Sequence, residues 1–99
     1  MEGFDIDHID EVIHGRVRLG VMAYLSGAGS ADFNTLKTRL QATDGNLSAH
    51  LRKLEDAGFV RVEKSFVNRK PLTTLILTDA GRTAFAAYLD AIGKLVEGR

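Results

Sequence analysis

Residues 43–60 read Thr-Asp-Gly-Asn-Leu-Ser-Ala-His-Leu-Arg-Lys-Leu-Glu-Asp-Ala-Gly-Phe-Val, and they contain the start, the buried face and the end of one helix. The hydroxyl of Thr43 can accept hydrogen bonds from the free backbone N–H groups of a first helical turn. Three leucines then recur at intervals of four and three, which places them on one face towards the core. They are Leu47, Leu51 and Leu54. Gly58 follows where a left-handed residue closes a helix.

Two further helices are predicted upstream of this stretch. A broad apolar stripe indicates a helix from about residue 8 to 26, with a break near Gly15 left open, and Gly27-Ala-Gly29-Ser ends it. Asp32 or Ser30 can then cap a short helix with apolar residues on one face. That face holds Phe33, Leu36 and Leu40, and Lys37 and Arg39 lie on the other. The short helix and the Thr43 helix form a helix-turn-helix, with Gln41-Ala42 as the turn.

Downstream, the pattern changes from period 3.6 to period 2. Residues 59–64 alternate as a half-buried strand does, and residues 73–78 are rich in β-branched side chains. Residues 68–71, Asn-Arg-Lys-Pro, contain turn formers and no large apolar side chain. A two-stranded hairpin with a basic tip is therefore expected. Thr78 can cap a last helix whose apolar stripe is too wide for one small core to cover: Ala80, Ala84, Phe85, Tyr88, Leu89, Ile92, Leu95 and Val96.

This order of elements predicts a winged helix-turn-helix, a mainly α fold with a small β-hairpin in the α+β class. It has a three-helix core, the hairpin as wing and a C-terminal helix. The 99 residues with 44% hydrophobic content are expected to form one domain over residues 1–99. The chain has no cysteine, no basic and apolar leader and no run of about 20 apolar residues. A cytoplasmic protein that does not insert into a membrane is expected.

The charges are unevenly distributed along the chain. The formal net charge is zero, which by itself argues against a nucleic-acid binder. All five charges in residues 1–13 are acidic, whereas residues 33–70 carry eight basic and four acidic side chains. The segment that contains the helix-turn-helix and the hairpin is therefore locally positive, which favours contact with phosphates.

The exposed face of the Thr43 helix has the composition of a DNA-reading surface. Such a helix presents polar and basic side chains to the major groove, with its N-terminal end first. The expected DNA-binding residues are Thr43, Asp44, Gly45, Asn46, Ser48, Ala49, Arg52 and Lys53 on this helix, Lys37 before it, and Lys64, Asn68, Arg69 and Lys70 on the wing. Glu55 and Asp56 are expected to point away from the duplex. The alternative is an ordinary amphipathic surface helix beside a solvated hairpin tip.

Metal binding and catalysis receive little support. His8 and His14 are six residues apart, which does not place two ligands on one helical face, and His50 lies among core-facing leucines, where a packed, hydrogen-bonded histidine is commoner. The chain has neither a phosphate-binding loop nor a set of nucleophile, base and oxyanion donors. No cofactor, metal or enzymatic activity is expected.

Nearly the whole chain resembles the small winged-helix transcriptional regulators related to the MarR and ArsR types. The resemblance is carried by His14-Gly-Arg-Val-Arg-Leu-Gly-Val-Met, Asp32-Phe-Asn-Thr-Leu, the segment Gly45 to Val60 and Leu77-Thr-Asp-Ala-Gly. It implies a recognition helix with Asn46, Ser48, Ala49, His50, Arg52 and Lys53, and a wing at residues 68–70. It also implies a homodimer joined through the terminal helices. The chain lacks the cysteines of arsenic sensors and is shorter than MarR proteins.

The wide stripe of the last helix supports such a dimer independently, because a twofold partner would cover it. The expected interface is Phe85, Tyr88, Leu89, Ile92, Leu95 and Val96. Alternatively, this helix packs entirely on the first one. The sequence thus predicts a homodimeric, sequence-specific binder of double-stranded DNA that regulates transcription, most simply as a repressor. A protein-interaction module and a ligand-responsive dimeric sensor remain as alternatives, and no effector is specified.

Overall fold

A computed structural model describes residues 6–97, which form four α-helices and one small sheet. The helices are α1 (Arg16–Ala28), α2 (Phe33–Leu40), α3 (Asp44–Asp56) and α4 (Asp79–Glu97), and the strands are β1 (Ser30–Asp32), β2 (Val60–Val67) and β3 (Lys70–Leu77). The sheet is antiparallel with the order β1-β3-β2. This is the predicted winged helix-turn-helix, with β2 and β3 as the wing. None of the helices within residues 6–97 is long and apolar enough to cross a membrane.

The predicted first helix begins later than expected. A short 3-10 turn covers Ile6–His8, and α1 starts only at Arg16. Between them the carboxylate of Asp10 accepts hydrogen bonds from the backbone N–H groups of Val12 (2.8 Å) and Ile13 (3.4 Å). Such local bonds compete with a helix, and Gly15 at φ 137° has a backbone conformation that a helix excludes. The break near Gly15 is confirmed, and the helix before it was a wrong prediction.

Three side-chain caps fix where the other helices start. The carboxylate of Asp32 accepts from the Thr35 N–H at 2.7 Å and begins α2. The hydroxyls of Thr43 and Thr78 do the same for α3 and α4, as the sequence predicted. Asp32, and not Ser30, is the cap of α2.

Strand β1 was not predicted. Gly29, at φ 81°, ends α1, and the three residues after it pair with β3 from Ser30↔Ile76 to Asp32↔Thr74. Asp32 is therefore both the last residue of a strand and the cap of the next helix. The sheet thus joins the wing to the helix-turn-helix.

The core lies between the helices and the base of the wing. It contains Ile9, Ile13, Val17, Val21, Met22, Leu25, Leu36, Leu47, Leu51, Leu54, Val60, Leu75, Leu77, Phe85 and Tyr88. The predicted inward leucines of α3 are all buried. The stripe of α4 divides into two parts: Phe85 and Tyr88 are buried in the chain's own core, whereas Leu89 and Val96 are 52% and 81% exposed.

The wing is longer and its turn tighter than predicted. The strands run to Val67 and from Lys70, so that only Asn68 and Arg69 form the turn, at φ 52° and 66°. Lys70 and Pro71 belong to β3, not to the tip. Two residues at positive φ form the hairpin turn that matches the twist of paired strands, and asparagine adopts that conformation readily.

Candidate nucleic-acid interface

One face of α3 is open along its whole length. Because its three leucines turn inwards, the predicted outward residues are all exposed: Asp44, Gly45, Asn46, Ser48, Ala49, Arg52 and Lys53. Thr43 is exposed too and caps the helix through a 3.2 Å bond to the Asn46 N–H. A Cβ atom built at Gly45 would have no atom within 4 Å from the described residues beyond the local helix backbone. The N-terminal turn of α3 can therefore approach another molecule closely.

A groove of about 710 Å³ runs between this helix and one face of the wing. Its lining residues come from α2, α3, β2 and β3: Phe33, Asp44, Ser48, Leu51, Arg52, Glu55, Val62, Lys64, Thr73 and Leu75. Side chains alternate between the two faces of a strand, so Lys64 faces α3 while Arg61 and Glu63 lie on the opposite face. Those two form an ion pair of their own at 3.1 Å. The groove brings Arg52 and Lys64, which are predicted DNA contacts, to the same concave surface.

Two polar residues of the groove, Glu55 and Thr73, were not identified as site residues from the sequence. Glu55 lines the groove, and its expected direction away from a bound duplex stays a prediction. The spacing of Asp44, Ser48, Arg52 and Glu55 at four, four and three already placed all four on one helical face. Thr73 lies directly opposite Lys64 in the sheet, a pairing that follows once the turn is assigned to two residues.

The predicted phosphate contact from α2 is partly neutralised within the chain. The ammonium group of Lys37 lies 2.8 Å from the carboxylate of Asp44, at the first residue of α3. Both side chains are accessible, at 39% and 72%. Arg39 points elsewhere, to a shallow depression shared with Thr38 and Leu72. The structure thus brings together Lys37 and Asp44, which had been predicted as separate DNA contacts, as one ion pair between the two helices.

His50, assigned to the recognition helix by resemblance, faces α1. Its Nδ1 lies 3.2 Å from Nη1 of Arg18. A guanidinium only donates hydrogen bonds, so Nδ1 accepts and the neutral ring carries its proton on Nε2. Burial lowers the pKa of His50, and the positive charges of Arg18 and Lys53 lower it further. Arg18 also donates to the carbonyl oxygens of His14 (3.2 Å) and Glu11 (3.4 Å), and so links α3 to the segment before α1.

The wing tip combines basic and apolar side chains. All residues from Glu63 to Pro71 are exposed, including the predicted contacts Lys64, Asn68, Arg69 and Lys70. Phe66 is 77% exposed and Val67 52%, and neither is among the predicted site residues. The alternating pattern that marks β2 as a strand does not reveal that its far end lies beyond the core.

The acidic N-terminal segment forms no metal site in the described part of the chain. Asp7, Asp10, Glu11 and His14 line a hollow of about 650 Å³, yet no three carboxylate or imidazole groups within residues 6–97 converge as ligands. Nδ1 of His14 instead lies 3.0 Å from the hydroxyl of Tyr88 on α4. Glu2 and Asp5, which contribute to the acidic charge, lie outside the described residues.

Comparison with known proteins agrees with this geometry. Residues 17–96 match the family model of a winged helix DNA-binding domain. The chain belongs to this family. An uncharacterised protein of Methanocaldococcus jannaschii is 40% identical over 85 residues, which are 86% of this chain and 92% of that protein.

Solved structures give the same assignment. A transcriptional regulator homologue from Pyrococcus horikoshii matches with a TM-score of 0.88 and 31% identity, over 99% of this chain and 97% of that one. AbfR of Staphylococcus epidermidis, in a structure bound to DNA, matches with a TM-score of 0.67 and 25% identity. The match covers 76% of this chain and 54% of the AbfR chain. Regulators of the MarR and ArsR families share the fold at 24% and 23% identity. The predicted likeness in fold to MarR and ArsR regulators is confirmed, and the chain is a winged helix DNA-binding domain.

Proposed function

We propose that the protein is a homodimeric transcriptional regulator that binds specific sites in double-stranded DNA. The observation that carries this proposal is the exposed polar and basic face of α3 beside a groove lined by Arg52 and Lys64. In the complex, α3 enters the major groove with its N-terminal turn first, and the wing lies along the adjacent backbone.

Each side chain has a role that fits its chemistry. Asn46 is suited to adenine and Arg52 to guanine or phosphate, because their hydrogen-bonding groups match those edges. Lys64 neutralises a phosphate from the groove wall, and Arg69 reaches the backbone or the minor groove from the turn. Gly45 permits close approach of the helix to the sugar-phosphate chain.

The exposed part of α4 supports the dimer. Leu89 and Val96 are exposed and Ile92 and Leu95 half-buried, which leaves apolar side chains along the C-terminal half of the helix. A second copy related by a twofold axis would cover them. Phe85 and Tyr88 would then support the interface from beneath. The dimer would place two α3 helices about one turn of DNA apart, roughly 10 to 10.5 base pairs. It would therefore bind a palindromic operator. Occupation of that operator would repress transcription.

The proposal is tested by a fluorescence-anisotropy titration with random-sequence duplex at about 50 and 200 mM salt, beside a sedimentation measurement of mass. A dimer should bind, and log K should fall with log salt at a slope of about 0.9 per neutralised phosphate. Absence of binding at the lower salt would contradict the proposal and favour a protein-interaction module. A mass equal to one chain would contradict the dimer alone.

A matched pair of variants tests the assigned surface. Arg52→Ala removes a cation from the groove and should weaken binding by roughly 5- to 100-fold, the range expected for one specific contact. Arg61→Ala removes the same charge from the opposite face of the wing, where it pairs with Glu63. Its affinity should stay near that of the wild type. Equal losses in both variants would show that only net charge matters.

A further inference from the structure

Within residues 6–97 the most exposed aromatic side chain lies near the outer end of the wing. Phe66 is 77% exposed, although the fold buries Phe85 and partly buries Phe33 and Phe59. An exposed phenylalanine contributes nothing to the core and leaves apolar area in water. The stability of this domain therefore does not account for an aromatic ring at position 66.

The sheet places Phe66 on the face of the wing that looks towards α3. Alternation along β2 puts it on the same side as Val62 and Lys64, which line the groove. Its partner across the sheet is Pro71, just as Val62 pairs with Leu75 and Lys64 with Thr73. The groove wall thus continues outwards through the Lys64 and Thr73 pair to the apolar pair of Phe66 and Pro71, one residue pair before the end of the strands.

The geometry of the hairpin favours a preformed apolar unit. Counting from the two-residue turn, Val67 and Lys70 form the first hydrogen-bonded pair, so Phe66 and Pro71 form a pair without ladder hydrogen bonds. Facing side chains are closest in such pairs, and proline loses no ladder bond there. Pro71 can therefore back the ring of Phe66.

The tip lies at the distance needed to pass the DNA backbone. Each strand residue adds roughly 3.3 Å, so Phe66 is about 13 Å beyond Val62 at the groove floor and about 7 Å beyond Lys64. A major groove is about 12 Å wide. If α3 lies in that major groove and Lys64 lies at the phosphates, the pair of Phe66 and Pro71 reaches the neighbouring minor groove.

We propose that Phe66, backed by Pro71, is a DNA contact of the wing and enters the minor groove as an apolar wedge. The inference rests on the proposed DNA binding by α3. Apolar side chains inserted at a minor groove pack on the sugars and partly unstack a base step. Arg69 in the adjacent turn supplies the attraction to phosphate, and Phe66 supplies a contact that salt does not screen.

The test compares Phe66→Ala with Val67→Ala. Val67 is the adjacent exposed apolar residue on the opposite face of the strand, which makes it a matched control. Phe66→Ala should weaken binding to random-sequence duplex by roughly 5- to 100-fold, the range for loss of one aromatic contact with a base. Its salt slope should equal that of the wild type, because no counterion release is lost. Val67→Ala should bind as the wild type does.

A second variant reports the contact directly. The chain contains no tryptophan, so Phe66→Trp introduces a single indole whose fluorescence can be read against two tyrosines. Contact with DNA should quench that fluorescence, with the same midpoint as the anisotropy titration. An indole that remains unquenched in the bound complex would overturn the proposal.

The outcomes separate this inference from the proposed function. Undiminished affinity in Phe66→Ala together with weakened binding in Arg52→Ala would overturn the wedge and leave the DNA-binding proposal intact. If the wild type does not bind DNA, both fall. A lower mass of Phe66→Ala in sedimentation at unchanged DNA affinity would show that the ring joins copies of the chain instead. Thermal melting should give equal midpoints for the wild type and both alanine variants.

Discussion

The first turns of α3 and α4 both begin with Thr-Asp and use the same threonine cap, but they differ in their surroundings. Residues 43–46 read Thr-Asp-Gly-Asn and residues 78–81 read Thr-Asp-Ala-Gly. In each, the threonine hydroxyl accepts from the backbone N–H three residues later, at 3.2 Å in α3 and 2.9 Å in α4. The first turn of α3 is exposed throughout, whereas the first turn of α4 packs against the turn between α3 and β2.

The difference lies in what each turn contacts beyond its own helix. The hydroxyl of Thr78 donates to the Gly58 carbonyl at 2.6 Å, and its backbone N–H donates to the Phe59 carbonyl at 3.1 Å. Gly81 is buried against that same carbonyl, whereas in the described part of the chain no atom beyond the local helix backbone lies within 4 Å of a Cβ built at Gly45. The same capping sequence thus stabilises the fold in α4 and leaves α3 free to bind.

The largest expected effect is on stability, from Gly81→Ala. The added methyl group would clash with the Phe59 carbonyl oxygen and meet the Leu77 side chain. Overpacking of this kind costs about 1–3 kcal/mol, and the melting temperature should fall by roughly 5–20 °C. Gly27→Ala, an exposed helical position in α1 with open space around it, is the control and should leave the midpoint equal or higher. An unchanged midpoint in Gly81→Ala would show that the two helix starts do not differ as described.

In the first turn of α3, Gly45→Ala should weaken DNA binding without lowering the stability of the domain. Alanine in a helix is more favourable than glycine by up to about 1 kcal/mol, so melting should occur at the same or a higher temperature. Affinity for duplex DNA should nevertheless fall about fivefold or more, because the methyl group would intrude where α3 approaches the DNA backbone. Tighter or equal binding would argue against close approach at this turn.

The aspartates that begin the two helices offer a finer comparison. Asp44→Asn should raise affinity for random-sequence duplex several-fold, since it removes a negative charge from the binding face and releases Lys37 to a phosphate. The salt slope should increase by up to about 0.9. Asp79→Asn makes the same change at the start of α4 and should leave affinity unaltered. Both variants lose a favourable charge at a helix N-terminus, about 0.3–1 kcal/mol of stability.

The smallest effect concerns the contact between α3 and α1. The unfolded chain titrates with the ordinary histidine pKa of about 6.5, whereas folding holds the pKa of His50 lower. Between the two values the unfolded state binds more protons, so stability decreases as pH falls through that window. The fall in melting temperature between pH 7.5 and 5.5 should be smaller in His50→Asn, whose amide oxygen can still accept from Arg18. An identical fall in melting temperature in the wild type and in His50→Asn would exclude His50 as the titrating group.

Local signals predicted much of this fold. Both threonine caps, the inward leucines, Gly58 at φ 80° and the exposed face of α3 all follow from patterns within a few residues. The features that were missed depend on distant partners. Strand β1 has three residues and exists because β3 lies beside it.

The same distinction applies to the candidate site. Burial of Phe85 and Tyr88 in the chain's own core, rather than at the surface of α4, depends on how α4 packs on the N-terminal segment. The pairing of Lys37 with Asp44 depends on the angle between α2 and α3, which periodicity does not specify. By contrast, the position of Glu55 was available from helical spacing.

Strand β1 also fixes the wing relative to the helix-turn-helix. Its last residue, Asp32, pairs with Thr74 of the wing and caps α2, so the wing and the helix-turn-helix are held in one frame. In the proposed complex, docking of α3 therefore presents the wing to the duplex at a high effective concentration, and the second contact forms without a further loss of rotational freedom. In the proposed complex, the three-residue strand β1 would thus allow α3 and the wing to bind DNA as the two sites of one bivalent ligand.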